Sequence, residues 1–211
     1  MILGIITARG NSKSIPDKNI VKLGGIPLIC YTLHETKKSK LDDYVLSTND
    51  KKIAQYTDKV IYRPEHLCKD DTPHAPVLKH AMLEYEKTHG KVDAVMTLQP
   101  TSPFRLTEDI NNAVDMYKGG SLVSVCKGIH PKKSYIDGKP CYEQTPYLKQ
   151  KDKCYTRNSA IFITARDLIM HGKVYTDTPQ FYIMPKTRSI DIDDYEDLMI
   201  AEYVLKGSEL Q

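Results

Sequence analysis

The chain opens with Met1-Ile-Leu-Gly-Ile-Ile-Thr-Ala8, an almost uninterrupted apolar run, and then breaks into Arg9-Gly-Asn-Ser-Lys-Ser-Ile-Pro-Asp-Lys18-Asn19. A strand this apolar has no polar face to give to water, so it must be covered on both sides, as a central strand of a parallel sheet is. That requirement points to an α/β architecture. Open sheets of this kind place their ligands beyond the carboxyl ends of the strands, and the loop from Arg9 to Asn19 leaves the run there. Gly10, Ser12 and Ser14 are small enough for backbone N–H groups to approach an anion, while Arg9, Lys13 and Lys18 add positive charge. Composition alone does not separate a phosphate site from a solvated basic turn after a buried strand.

The rest of the chain alternates strand and helix. Pro27 opens a helical segment through Leu28, Tyr31 and Leu33 to a Lys-rich end, as proline at a first helical position and cations in a last turn predict. Tyr44–Thr48 is a second strand, and Ser47-Thr-Asn-Asp50 supplies N-cap candidates for the Lys51–Tyr56 segment. After a short strand at Val60–Tyr62, Asp71-Thr72-Pro73 reads as an N-cap followed by proline at N1. The helix it opens carries the stripe Val77, Leu78, Ala81, Met82 and Tyr85. Val92–Leu98 is a buried strand that ends in the polar loop Gln99-Pro-Thr-Ser-Pro-Phe-Arg105, and Thr107-Glu-Asp starts a helix through Tyr117. Ser121–Cys126 returns to the sheet. Between Gly128 and Tyr155 the rhythm stops in a stretch rich in Pro, Lys and Tyr, read as an excursion from the sheet. Strands at Ala160–Ile163 and Phe181–Met184, a short helix at Ala165–His171 and a closing helix at Tyr195–Leu205 complete a mainly parallel sheet covered on both faces. At 211 residues this is read as a single α/β domain, 1–211, with an excursion at about 128–155.

Several function classes lose their support. The net charge of +3 is too small a bias for nucleic acid, and a local anionic ligand accounts for it. Five cysteines without a C-x-x-C pair, and seven histidines without H-E-x-x-H, argue against a zinc site and a disulfide framework. The start of the chain lacks the layout of a signal peptide and no apolar run approaches membrane length, so a cytoplasmic protein is expected. G-x-S-x-G, G-x-G-x-x-G and the P-loop pattern are absent.

One further pattern carries chemistry. In Ser189-Ile-Asp191-Ile-Asp193-Asp194, an extended segment would aim Asp191 and Asp193 one way and Ile190 and Ile192 into the core. Two convergent carboxylates beside a polyphosphate suit Mg²⁺, which prefers oxygen ligands and is commonly completed by substrate phosphates and water. Taken alone, so short a motif more often marks the acidic start of a helix, here the one that Asp194, Glu196 and Asp197 begin.

Together, Ile6–Asn19, Ser47–Asp50, Arg63-Pro64, Asp71-Thr72, Leu98–Arg105, His130-Pro131, Arg157–Phe162 and Ser189–Asp193 resemble the signature segments of the acylneuraminate cytidylyltransferases. These are the CMP-sialic acid synthetases and their relatives acting on pseudaminic or legionaminic acid, and the resemblance spans nearly the whole chain. It implies a three-layer Rossmann-like nucleotidyltransferase fold that condenses CTP with a nine-carbon α-keto acid sugar and releases pyrophosphate. By the same resemblance Arg9 and Lys18 meet the triphosphate within the opening loop that also holds Asn11 and Ser12. Asn19, Gln99, Thr101 and Ser102 line the nucleotide and sugar clefts, and Arg63, Gln150 and Asn158 complete the binding set. Asp191 and Asp193 match the ligands of Mg²⁺ (or Mn²⁺), and Lys133 matches the position that meets the sugar acid. The excursion corresponds to the family's dimerisation and sugar-binding segment, which implies a homodimer.

The chain departs from the family pattern at a few places. Thr7 stands where the family often has proline, and Ser14 and Ser159 where it usually has glycine. Lys149-Gln150 corresponds to the family's Arg-Gln only with a one-residue gap. Two other classes are compatible with the residues: a nucleotidyltransferase using another nucleotide or sugar, and a non-catalytic nucleotide- or sugar-binding protein. Intact Arg9, Lys18, Asp191 and Asp193 count against the latter. No general base is evident; a metal-bound water and a water linked to Asp191 are both compatible with the sequence.

Overall fold

The computed structural model describes residues 1–128, 134–136, 139–140 and 154–208. The opening apolar run becomes β1 (Ile2–Thr7), flanked in parallel by β4 (Asp43–Thr48) and β6 (Ala94–Leu98). Alternation along β1 divides the core in two. Leu3 and Ile5 pack with Leu78, Ala81 and Met82 of α3 (His74–His89) and with Ile169 of α5 (Arg166–Met170). Ile6 faces the opposite layer, with Ile29 and Leu33 of α1 (Leu28–Lys37) and Ile110 and Ala113 of α4 (Thr107–Met116). This explains why the strand carries no polar side: both of its faces are interior.

The sheet continues from β4 to β5 (Val60–Tyr62) at one edge. From β6 it runs through β10 (Cys154–Ala165) and β7 (Ser121–Lys127) to β11 (Gln180–Ile183) at the other. Every neighbouring pair along this path is parallel except those made by β10, which runs antiparallel to both β6 and β7. The sheet is thus mainly parallel, as expected, and the one antiparallel strand follows the stretch where the βα rhythm stops. A parallel strand needs a crossover, usually a helix, whereas an antiparallel one can be entered without it. Among the described residues no helix stands between β7 and β10; instead β8 (Ser134–Ile136) pairs with β10 and with β9 (Lys139–Pro140).

Helix starts follow the sequence with one shift. Pro27 and Pro73 sit at the N-cap positions of α1 and α3 rather than at N1, with φ of −58° and −60°, and Asp71 and Thr72 do not cap α3. Asp50 does cap α2 (Lys51–Ala54), its Oδ1 accepting from Lys52 N at 2.7 Å. Between the opening loop and α1, β2 (Lys22–Leu23) and β3 (Ile26–Pro27) form a small hairpin. Gly24 and Gly25, both at positive φ, turn it as a two-residue connection requires. Leu23, Ile15, Leu28, Ile192 and Ala201 bury together in a satellite cluster, the last from α6 (Tyr195–Ser208). That cluster ties the opening loop to the Asp191–Asp193 segment. Among the described residues no helix is long and apolar enough to cross a membrane.

Candidate active site

The loop after β1 is anchored before it reaches the cleft. Gly10 N donates to Asn49 Oδ1 at 3.0 Å, and a Cβ at Gly10 would lie 2.7 Å from Asp50 Oδ2, so a larger residue would push the Asp50 side chain aside. The Gly10 amide is thus used by the protein rather than offered to an anion, contrary to the role its size suggested. Asn19, in the short 3₁₀ turn Lys18–Ile20, donates from Nδ2 to Arg9 O at 2.8 Å and fixes the ends of the loop to each other. Ile15 is buried in the satellite cluster, which holds the loop's middle down.

A cleft of about 440 Å³ opens between this loop, the residues after β5 and β6, and the segment before α6. Of the residues singled out from sequence, Arg9, Ser12, Lys18, Asn19, Arg63, Gln99, Thr101, Asp191 and Asp193 line it together. Asn11 lies instead in an adjoining groove with Asn49 and Cys68. Ser102 is buried behind the loop, and among the described residues its hydroxyl has no partner. Asn158 is also buried: Oδ1 accepts from Ser124 Oγ at 2.5 Å, and Nδ2 donates to Ser189 Oγ at 2.8 Å. It braces the start of the Ser189–Asp193 segment. Lys133 and Gln150 fall outside the described residues.

The cleft is rich in cations. Arg9 Nη1 lies 2.5 Å from Asp70 Oδ1 and Lys13 Nζ 2.6 Å from Asp70 Oδ2. Lys13, and then Arg9, hold the Asp70 carboxyl below its ordinary range. Arg63 is only 7% exposed; it donates to Ser47 O at 3.0 Å and Ser47 Oγ at 3.3 Å, and among the described residues no carboxylate pairs with it. Burial pulls its pKa down, with the nearby Arg9 charge acting the same way. A desolvated cation without an anion is costly, and a polar or anionic ligand in the cleft would offset that cost.

Lys18 reaches across to the far wall, donating from Nζ to Asp193 O at 2.8 Å and Ile192 O at 3.3 Å. Ile192 is fully buried and its N donates to Thr101 O at 2.8 Å, so the Asp-Ile-Asp segment is pinned between two cleft loops. Asp191 and Asp193 line the cleft while Ile190 and Ile192 pack into the satellite cluster, as period-two alternation predicts. The acidic helix start also exists, carried by neighbouring residues. Asp194 Oδ1 accepts from Glu196 N at 2.9 Å and Asp197 N at 3.1 Å, and Asp197 Oδ2 accepts from Asp193 N at 2.9 Å. Capping is thereby done without Asp191 or Asp193. Among the described residues no set of three His, Cys, Asp or Glu converges for a metal. Two carboxylates form an all-oxygen partial set, which fits a hard divalent cation completed by substrate phosphates and water.

Three contributors had little signal in the sequence. His74, the first residue of α3, lines the cleft beside Gln99, and Asp70 bridges two loop cations. Arg105, fully buried, donates to Ala160 O at 2.8 Å, Thr32 Oγ1 at 2.8 Å and Gln99 O at 3.4 Å. It locks the Gln99 loop to β10 and α1, and burial pulls its pKa down to about 10.

A family model described as Cytidylyltransferase matches residues 3–205. The chain is 31% identical to CMP-N,N'-diacetyllegionaminic acid synthase of Legionella pneumophila, over 97% of this chain and 96% of that protein. It is also 31% identical to N-acylneuraminate cytidylyltransferase of Escherichia coli, over 95% of this chain and 51% of that protein. The solved structure of CMP:2-keto-3-deoxy-manno-octonic acid synthetase complexed with CTP superposes with a TM-score of 0.73 at 14% identity. It covers 98% of this chain and 99% of its own, and it supports the nucleotidyltransferase fold. With its opening loop, Gln99 loop and Asp191–Asp193 segment assembled around one cleft, the chain belongs to the cytidylyltransferase family of CMP-sugar synthetases.

Proposed function

We propose that the chain condenses CTP with a nonulosonic acid, a sialic-acid-like α-keto acid sugar, giving the CMP-sugar and pyrophosphate. The observation that carries this reading is the meeting, in one cleft, of the cations Arg9 and Lys18 with the carboxylates Asp191 and Asp193. Attack of the anomeric hydroxyl on the α-phosphate builds charge on phosphoryl oxygens, and Lys18 and Arg9 are held by their loop where they can meet it. Arg9 exchanges its Asp70 contact for phosphate oxygen as the nucleotide enters. Arg63, desolvated and held by Ser47, gives a fixed donor to the nucleotide half of the cleft. Asp191 and Asp193 hold Mg²⁺ or Mn²⁺, which when bound neutralises phosphate charge. Buried apolar loops around Ile15 and Ile192 keep these groups from relaxing toward water. Gln99 and Thr101 face the sugar, and Lys133 takes the sugar carboxylate.

The chain works as a single domain and, by its likeness to CMP-sialic acid synthetases, as a homodimer. The cytoplasm, where CTP is supplied, is its compartment, in keeping with the free thiols of Cys30, Cys68, Cys126 and Cys154. The test is incubation with CTP, Mg²⁺ and a panel of nonulosonic acids, with CMP-sugar followed by mass spectrometry and the other nucleotide triphosphates run in parallel. CMP-sugar from one or more nonulosonic acids is expected. CTP binding without turnover, or faster turnover with another nucleotide, would overturn the reading.

A further inference from the structure

His74 is half-buried in the cleft wall, and its Nε2 lies 3.2 Å from Gln99 Nε2. Two nitrogens at that distance bond only if one donates and the other accepts. A carboxamide nitrogen carries two hydrogens and accepts nothing, so the ring nitrogen must be bare and the proton of the neutral imidazole must sit on Nδ1. The place favours that state. His74 opens a sixteen-residue helix, whose N-terminal dipole repels an imidazolium, and the Arg63 guanidinium repels it as well. Desolvation acts in the same direction and is the larger cause, so the His74 pKa lies below the ordinary histidine value.

With Nε2 of Gln99 engaged, its Oε1 has no protein partner among the described residues. The backbone of Gln99 is fixed independently of its side chain, since its main-chain oxygen accepts from Thr32 Oγ1 and Arg105 Nη1, both at 3.4 Å. The position in the sheet says which substrate this oxygen meets. Strand order runs outward from β1 through β4 to β5 on one side and through β6 on the other, so the ligand crevice straddles β1. Arg63 follows β5, whereas Gln99 follows β6 on the opposite half, next to β10.

We propose that His74 is a positioning residue that accepts the Gln99 carboxamide N–H and so turns the amide oxygen into the cleft, selecting an acceptor sugar that offers a hydroxyl or acylamino N–H there. The assignment to the sugar rests on the cytidylyltransferase reading above; the His74–Gln99 pairing itself does not.

Two measurements test it. In the wild-type protein, long-range ¹H–¹⁵N NMR of the histidine rings should show the Nδ1–H tautomer for His74. The Nε2–H tautomer would overturn the proposal, because Gln99 would then have to present its oxygen to the ring. In turnover assays, His74→Leu should raise the apparent KM for the sugar about tenfold, as the loss of one hydrogen bond with a partner left unsatisfied does. The KM for CTP should change far less. His74→Gln, whose carboxamide oxygen can reach the place of Nε2, should restore most of the loss, and in a Gln99→Ala background His74→Leu should add nothing. Equal losses in both backgrounds, or equal effects on both substrates, would reduce His74 to a packing role and overturn the proposal. If His74→Leu does not fold, the tautomer decides. Absence of CMP-sugar synthesis by the wild type would reject the function while leaving the tautomer result to judge the pair.

Discussion

Lys18 Nζ donates to the main-chain oxygen of Asp193 at 2.8 Å and stands 3.7 Å from its carboxylate, across 175 residues of sequence. One cation thereby both faces the place proposed for the triphosphate and orients the loop proposed to hold the metal. The arrangement is coupled: loosening either loop frees the other.

Lys18→Met keeps the apolar stem, so its effect is electrostatic and local. Turnover is expected to fall about 10²-fold, the scale of losing one preorganised donor at a developing charge. Because Lys18 also grips Asp193 O, the Mg²⁺ concentration needed for half-maximal rate should rise too. Pyrophosphate release measured across CTP and Mg²⁺ titrations checks both. Unchanged CTP affinity and rate would make the opening loop ordinary surface.

Asp191→Asn and Asp193→Asn remove charge while keeping shape. Neither carboxylate caps α6, since Asp194 and Asp197 do that, so both variants should keep that helix and the fold. Turnover should drop by about 10²-fold or more, in line with the several kcal/mol a bound cation supplies to a phosphoryl transition state. Full rates at saturating Mg²⁺ in both variants would remove the metal assignment.

Asp70 occupies Arg9 and Lys13 together, as an anion in the cleft would. Asp70→Asn releases both cations without changing volume, so CTP should bind severalfold more tightly, with the gain shrinking as salt is raised. Calorimetric titration at low and high salt reads this directly. Weaker CTP binding would mean that Asp70 instead holds Arg9 in its working position.

Much of this was legible in the sequence because periodicity reports burial. The bare apolar run of β1 demanded two covered faces, and Ile190 and Ile192 alternating with Asp191 and Asp193 gave the carboxylates a common direction. Direction and partnership were not legible. Apolar residues read the same in either strand sense, so the antiparallel course of β10 had no signal. A lone arginine or histidine does not announce its neighbours either: Arg105 looks like loop charge until its acceptors are found in Ala160 O and Thr32 Oγ1. His74 gains meaning only through Gln99.

Asp109, fully buried in α4, accepts from Tyr182 Oη at 2.8 Å and from Arg188 at 2.8 and 3.0 Å, tying the run-up to the Asp191 segment to the helix layer. Burial first, and Asp109 second, push the Tyr182 phenol up to about 12. Since the folded pKa lies above the unfolded value of about 10, the phenol's contribution is complete below pH 10 or so and is lost as pH rises towards 12. Tyr85, hydrogen-bonded to Asp43 and also raised to about 12, adds to the same loss. Tyr182→Phe should cost about 1–2 kcal/mol at neutral pH and flatten the alkaline decline in denaturant midpoint. An identical alkaline decline in wild type and variant would place the titrating group elsewhere.

Ser159 adopts φ of 60°, a left-handed conformation, at the irregularity between Arg157 and Phe162 where β10 shifts its register against β7. It follows Asn158, whose amide braces Ser189, so the backbone turn at Ser159 helps set where the Asp191–Asp193 segment begins. A side chain there costs roughly 1–2 kcal/mol relative to glycine, while glycine's extra freedom in the unfolded chain takes back roughly 0.5–1 kcal/mol. Ser159→Gly should therefore raise stability by about 0.5–1 kcal/mol and leave turnover unchanged, because the conformation glycine prefers is the one already present. A chemical-denaturation midpoint that falls in Ser159→Gly would show that the serine earns its place through its side chain rather than being tolerated against its backbone strain.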